Sequence, residues 1–289
     1  MTADLFPGQG SQKRGMGAEL FDTVPEYLQF ESDVDRELGY SLRHLCLDNP
    51  NNLLQQTQFT QPCLYVVNAL HHYKHRRERG APRFLAGHSL GEYNALHASG
   101  AFDFLTGLRL VKHRGELMAT SRGGTMAAVI GLAADSISAT LAAAHLQGID
   151  IANHNSPTQT VISGPSEEIV RAESLLRDAG AKLYVQLPVS AAFHSRYMAT
   201  SARSFANFLA SVPFKPLTIP VISNLTGQPY PMDDTAGIKA VLARQIDNAV
   251  LWKQSIAYLL DLGVEEFREC GPGSVLTRLV ADIRQKHVG

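Results

Sequence analysis

No stretch of this sequence carries a block of like charge: 26 Lys and Arg against 27 Asp and Glu leave a net charge of −1. Without a basic patch there is no electrostatic footprint for nucleic acid or for an anionic membrane surface. Long apolar runs are also missing, and none approaches the ~20 residues needed to cross a bilayer. Met1-Thr2-Ala3-Asp4 shows no basic segment leading into an apolar one, so no secretory signal is expected. Cysteine is scarce. Cys46, Cys63 and Cys270 are odd in number and include no CxxC pair, which argues for reduced, mostly buried thiols and against a disulfide framework or a zinc site. Repeats and low-complexity segments are absent as well. These gaps point to a soluble cytoplasmic protein with no metal and no nucleic-acid or membrane partner. The 289 residues are 45% hydrophobic and 18% charged, ordinary values for a globular enzyme with a sizeable core.

Several short apolar runs end in glycine or asparagine. Ala3–Phe6 leads into Pro7-Gly8-Gln9-Gly10, Phe84–Ala86 into Gly87-His88-Ser89-Leu90-Gly91, and Ile219–Ser223 into Asn224. Val264–Cys270 ends at Gly271-Pro272-Gly273. Helical patterns lie between them, so the fold expected is α/β with a mainly parallel sheet whose carboxyl-end loops gather at one place. Residues 125–187 read differently. Met126–Leu132 is strand-like, Ala134–Leu146 helical, Ile149–Asn153 and Gln159–Ser163 strand-like around an Asn155-Ser156-Pro157 turn, Ser166–Ala179 helical, and Lys182–Leu187 strand-like. That order, βαββαβ, is a ferredoxin-like unit. The expectation is a large α/β-hydrolase-like domain of residues 1–124 and 193–289, interrupted by a small ferredoxin-like domain of residues 125–192. A ligand cleft belongs between the two.

Gly87-His88-Ser89-Leu90-Gly91 fits G-x-S-x-G, a nucleophile elbow. The sharp strand-to-helix turn exposes a serine hydroxyl, and the helix amino terminus offers unpaired N–H groups to a developing oxyanion. Alone, the pattern also describes a structural turn with an idle serine. Placed at 100° per residue, Gly107, Leu110, Val111, Leu117 and Met118 share one helical face with Arg114 in its middle. A guanidinium there needs an anion, and no acid stands three or four residues away. A distant Asp or Glu and a ligand carboxylate both satisfy this. Among eleven histidines, His71 and His72 lie in a charged helical run and are expected to be solvated. His88, adjacent to the serine in a turn, should point away from it. His194, at the expected domain junction, is the candidate base, although a structural role fits its position equally well.

Taken together, Phe6–Gln12, Thr60-Gln61-Pro62, Gly87–Tyr93, Arg114-Gly115, Asn155-Ser156-Pro157, Phe193-His194-Ser195, Asn248 ahead of Trp252, and Gly271-Pro272-Gly273 resemble the malonyl-CoA:acyl carrier protein transacylase family. The resemblance covers nearly the whole chain. It is strongest to free-standing acyltransferases that serve polyketide synthases in trans, through Thr57–Pro62 and Val189–Ser195. It implies a monomeric enzyme that needs no cofactor, takes malonyl-CoA as substrate and has acyl carrier proteins as partners. Ser89 would be the nucleophile and His194 its base, with the Asn248 backbone carbonyl orienting the imidazole. The N–H groups of Gln9 and Leu90 would form the oxyanion hole. Arg114 would take the malonyl carboxylate, with Gln61, His88, Phe193 and Gln159 in the substrate pocket. Phe193 before the base is the family's mark of malonyl preference. The alternatives are the same chemistry in fatty acid synthesis, or an acyl hydrolase that clears carrier proteins.

Overall fold

A computed structural model of the protein describes residues 1–287. Strands β1 (Thr2–Phe6), β2 (Phe84–Gly87), β7 (Val221–Ile222) and β8 (Glu266–Glu269) form one parallel sheet in the order β7-β2-β1-β8. Helices α1 (Pro25–Leu38), α2 (Leu42–Asp48), α3 (Thr57–Arg79), α4 (Gly91–Ala98) and α5 (Phe104–Thr120) follow the first two strands. After the second sheet come α8 (Ala199–Ser211), α9 (Thr235–Arg244), α10 (Trp252–Asp261) and α11 (Val275–His287). No described helix is long and apolar enough to cross a membrane.

The second sheet contains β3 (Gly124–Ile130), β4 (Asp150–Ser156), β5 (Gln159–Pro165) and β6 (Leu183–Gln186) in the order β4-β5-β3-β6, every neighbour antiparallel. Helices α6 (Ala134–Ala143) and α7 (Ser166–Asp178) complete the βαββαβ unit. The two-residue period of a strand divides β3 between two cores. Ala127 and Val129 pack with Ile137, Leu141, Ile169 and Leu176 of α6 and α7. Met126 and Ala128 turn the other way, into the core of the large sheet's helices. The fold class is therefore the one the sequence pattern indicates, a parallel α/β sheet with a ferredoxin-like antiparallel unit.

Boundaries differ from the sequence reading in three places. The strand expected over 219–223 is confined to Val221–Ile222, and the one over 264–270 to Glu266–Glu269. Asn155 and Ser156 belong to β4, because Ser156 still pairs with Gln159; only Pro157 and Thr158 form the reversal. His72 is not solvated. It is buried, and its Nδ1 lies 2.9 Å from Asp4 Oδ2. No spacing rule on α3 anticipates an acid on β1, far away in sequence, as its partner.

Two features place the site. Phe6 pairs with Gly87, so β1 and β2 end level and their loops meet side by side. That meeting needs glycine. A Cβ on Gly91 would lie 2.0 Å from the Phe6 carbonyl oxygen, and one on Gly8 would lie 2.4 Å from the His88 oxygen. Secondly, the Val250 N–H donates to Ala152 and the His154 N–H donates to the Val250 carbonyl, both bonds under 3.0 Å, tying the small sheet to the loop after α9.

Asp4, the polar residue inside β1, also accepts from Arg268 Nε at 2.6 Å, and all three side chains of the Arg268–Asp4–His72 group are buried. Removing the acid strands a buried guanidinium. Asp4→Ala is therefore expected to destabilise the fold by about 3–5 kcal/mol. Chemical denaturation measures this, and a loss below about 1 kcal/mol would mean that Arg268 reaches water or another acceptor.

Candidate active site

The turn from β2 into α4 holds Ser89 at φ +51°, a left-handed conformation that costs a non-glycine residue about 1–3 kcal/mol. The residue persists there because both flanking peptide groups are held. The Ser89 N–H donates to Asn224 Oδ1 at 2.6 Å, and the Ser89 carbonyl accepts from Gln245 Nε2 at 2.7 Å. Ser89 Oγ lies 2.7 Å from His194 Nε2. His194 itself sits at φ +55° in the segment that returns from the small sheet. Its Nδ1 lies 3.0 Å from the Gln245 carbonyl oxygen. With Nδ1–H donated to that carbonyl, Nε2 is left as the acceptor facing the serine hydroxyl.

Burial, then the positive charge of Arg114, holds the His194 imidazole down at about 3, against smaller favourable contributions from the Gln245 and Asn248 backbones. At neutral pH the ring is thus an uncharged base. The short bond at Nδ1 is to the Gln245 carbonyl, and the Asn248 backbone carbonyl, expected in that place, contributes more weakly. An acceptor that is a backbone carbonyl leaves no side-chain signature, so the sequence does not choose between the carbonyls of this loop.

Arg114 is 1% exposed and forms no ion pair among the described residues. Its neighbours are neutral. Nη1 donates to Gln61 Oε1 at 2.7 Å, and Nη2 donates to Gln245 Oε1 at 3.0 Å and to Ser89 Oγ at 3.1 Å. The guanidinium carbon stands 5.4 Å from the Tyr93 ring centre, and Nε has no hydrogen-bond partner among the described residues. Of the two partners open to Arg114 from sequence, a distant acid is not in contact. Gln61 is in turn held by Thr57 Oγ1 at 2.9 Å, and Thr57 donates to Gln9 Oε1 at 2.9 Å.

Ser89, His194, Arg114 and Gln61 form one end of a cavity of about 90 Å³, with Met118, Met126, Leu187, Val189 and Phe193 as its apolar wall. Gln9 and Leu90 line it too, and neither backbone N–H has an acceptor among the described residues. His88 touches this cavity, but its ring turns away from the serine. Nε2 lies 2.8 Å from Asn155 Oδ1, and the ring packs on Trp252. Gln159 is not brought to the serine cavity. It lines an adjoining space of about 200 Å³ that shares Gln9, His88, Asn153 and Leu187. Position 159 begins β5, at the end of the ladders where it pairs with Ser156 and Ile130.

Asn224, Gln245 and Glu92 went unassigned by sequence reasoning. Only Glu92 left a trace, as the one acid in α4 and part of the motif that follows the serine. As for metals, Asp4, His72 and Cys270 offer ligand atoms within 4.8 Å of one another. Both Asp4 oxygens are already engaged, one by the Arg268 cation, so a metal ion there would face a guanidinium.

The acyl transferase domain model matches residues 5–287. The chain belongs to the acyl transferase domain family. Among its relatives is the polyketide biosynthesis malonyl CoA-acyl carrier protein transacylase BaeC of Bacillus velezensis, 52% identical over 290 residues, 99% of this chain and 98% of the relative. Among solved structures, the malonyl CoA-acyl carrier protein transacylase from Burkholderia pseudomallei superposes with a TM-score of 0.93 at 47% identity, covering 99% of this chain and 98% of that one. A malonyl-transacylase solved in complex with a type II PKS acyl-carrier protein gives 0.92 at 36% identity, over 98% and 93% of the two chains. An acyltransferase needs a nucleophile, a neutral base and oxyanion donors in one cavity. The geometry around Ser89 meets that requirement.

Histidines wholly or partly withdrawn from water are expected to make the stability of this acyltransferase depend on pH. Burial lowers His194 to about 3 and His71 and His97 to about 4, all below the ordinary 6.5. The unfolded chain therefore binds more protons than the folded one below 6.5, and stability falls as pH drops through that window. Glu92 acts in the opposite sense, since burial raises it from 4.5 to about 7. Three groups against one predict a urea midpoint lower at pH 4.5 than at pH 6.5. An equal or higher midpoint at pH 4.5 would contradict the burial of neutral imidazoles.

Proposed function

We propose that the protein transfers a malonyl group from malonyl-CoA to the phosphopantetheine thiol of an acyl carrier protein, by way of a malonyl ester on Ser89. The observation that carries this reading is Arg114, a buried guanidinium beside the Ser89 hydroxyl with amides and no carboxylate in direct contact among the described residues. A substrate that brings its own carboxylate completes that environment, and the planar fork suits it bidentately.

Ser89 Oγ attacks the thioester carbonyl carbon as its proton passes to His194 Nε2. The tetrahedral oxyanion is held by the N–H groups of Gln9 and Leu90. The C–S bond then breaks, and His194 returns the proton to the coenzyme A thiolate. In the second half the carrier thiol gives its proton to His194, attacks the malonyl ester, and Ser89 regains its hydroxyl hydrogen. The Gln245 carbonyl at Nδ1 keeps the imidazole in the required tautomer, which is the role assigned to an acid in three-residue serine sites. Gln61 supports Arg114 near the carboxylate. Coenzyme A enters only as substrate, and no step calls on a cofactor.

On this reading residues 1–124 and 193–289 form the large α/β-hydrolase-like domain and residues 125–192 the small ferredoxin-like domain, which adds Met126 and Leu187 to the cavity lining. The likeness to BaeC supports a polyketide pathway in which the enzyme serves carriers in trans. The acid-free lining of the serine cavity favours transfer of a carboxylated acyl group over general hydrolysis.

Incubation with malonyl-CoA should add one malonyl group, located on Ser89 by peptide mass and absent from Ser89→Ala. No stable adduct, or one that survives Ser89→Ala, would refute the reading. Arg114→Ala should lower malonyl loading about 10- to 100-fold, the worth of a hydrogen bond to a charged group, while acetyl loading holds or rises. Parent-rate malonyl loading in that variant would remove the carboxylate role.

A further inference from the structure

Glu92, at the start of α4, is fully buried and directly pairs with no cation among the described residues. Each of its oxygens instead holds one of the two residues that pin the elbow. Oε1 accepts from the Asn224 N–H at 2.8 Å, and Oε2 accepts from Gln245 Nε2. Asn224 in turn accepts the Ser89 N–H at Oδ1, and its Nδ2 donates to Gly87 O at 2.6 Å. Gln245 Nε2 also reaches the Ser89 carbonyl, while its Oε1 accepts from Arg114.

An amide has a donor end and an acceptor end, and a carboxylate can only accept. With Glu92 on one side, the Gln245 NH2 must face it and Oε1 must face Arg114. We propose that Glu92 is a positioning residue for acyl transfer: it fixes the direction of the Gln245 amide, hence the guanidinium of Arg114, and through Asn224 it holds Ser89 in its strained turn. This rests on the reading of Arg114 as the carboxylate site. The Gln245 backbone carbonyl serves His194; its side chain, under the control of Glu92, serves Arg114. Burial pushes the Glu92 carboxyl up to about 7, so the acceptor-only form that orients Gln245 is the one present above that pH, where the variants are to be compared.

Glu92→Gln keeps the size but puts a donor where one of two N–H groups points. Gln245 relieves the clash by turning its NH2 toward Arg114, where two donors then face each other. A guanidinium that loses the Gln245 oxygen and keeps only Gln61 and the Ser89 hydroxyl as acceptors is displaced, and a misplacement near 1 Å costs about 100-fold. Malonyl kcat/KM should therefore fall about 10- to 100-fold, and acetyl kcat/KM, which does not use Arg114, should fall less, so that the malonyl-to-acetyl ratio drops about tenfold. Gln245→Met, which keeps the backbone carbonyl, should lower the same ratio.

Because the two residues act as one unit, the double variant should match a single one, whereas independent sites would add. An unchanged ratio in folded Glu92→Gln, or additive losses, would overturn the proposal. Should Glu92→Gln not fold, Glu92→Asp withdraws the oxygens by one methylene and gives the same readout. A parent-like ratio in it would likewise overturn the proposal. If the parent enzyme carries no malonyl on Ser89, the proposed function itself fails. If it does, and the ratio is unmoved, only the role of Glu92 fails.

Discussion

A positive charge buried next to a serine hydroxyl, with no negative charge touching it, is the constraint that organises this molecule. Burial of an isolated guanidinium is strongly unfavourable, and proteins ordinarily answer it with a carboxylate. Here the answer is carbonyl oxygen. Gln61 and Gln245 each give one amide oxygen, Tyr93 offers its ring face, and the nearest acid, Glu92, is kept one amide away. The arrangement neutralises Arg114 incompletely. An incompletely neutralised cation beside a serine hydroxyl leaves room for an anion, and the Nε without a hydrogen-bond partner among the described residues is the visible remainder.

The rest of the fold can be seen as what such a site requires. The level ends of β1 and β2 bring two loops together, and Gly8 and Gly91 allow contacts that any side chain would block. The small antiparallel sheet turns one face to its own helices and the other toward the serine, so the same strand that builds a core supplies the Met126 wall. The bridge between Asn153 and Val250 joins that sheet to the loop after α9. Gln245, which lies in that loop, is tied at once to the base, to the arginine, to the elbow and to Glu92. A shift of this one residue reaches every part of the catalytic group.

Much of this was legible in the sequence where a residue violates the local pattern. Ser89 stands in a turn with glycine on both sides, and Arg114 sits on an apolar face; both irregularities lie on the cavity that also holds His194. The βαββαβ unit was readable because its helices and strands alternate with clean turn signals. What could not be read falls into two kinds. Backbone groups have no residue identity, so the carbonyl that orients His194 was assigned to Asn248 when Gln245 lies at Nδ1. Contacts between distant segments have no spacing, so the burial of His72 against Asp4, and the placing of Gln159 in the neighbouring cavity, contradicted local expectation. Glu92 combines the two, since its partners are a backbone N–H and a side-chain amide more than a hundred residues away.

The central claim, that the uncompensated charge of Arg114 exists to be met by the substrate, is tested most directly by the crystal structure of the protein after reaction with malonyl-CoA. The account predicts an ester on Ser89 Oγ whose free carboxylate lies within about 3 Å of two Arg114 nitrogens, the distance of a charge-assisted hydrogen bond. An ester whose carboxylate points instead toward the space lined by Gln55, Gln58 and Arg122, with Arg114 still bonded only to its two glutamines, would contradict it.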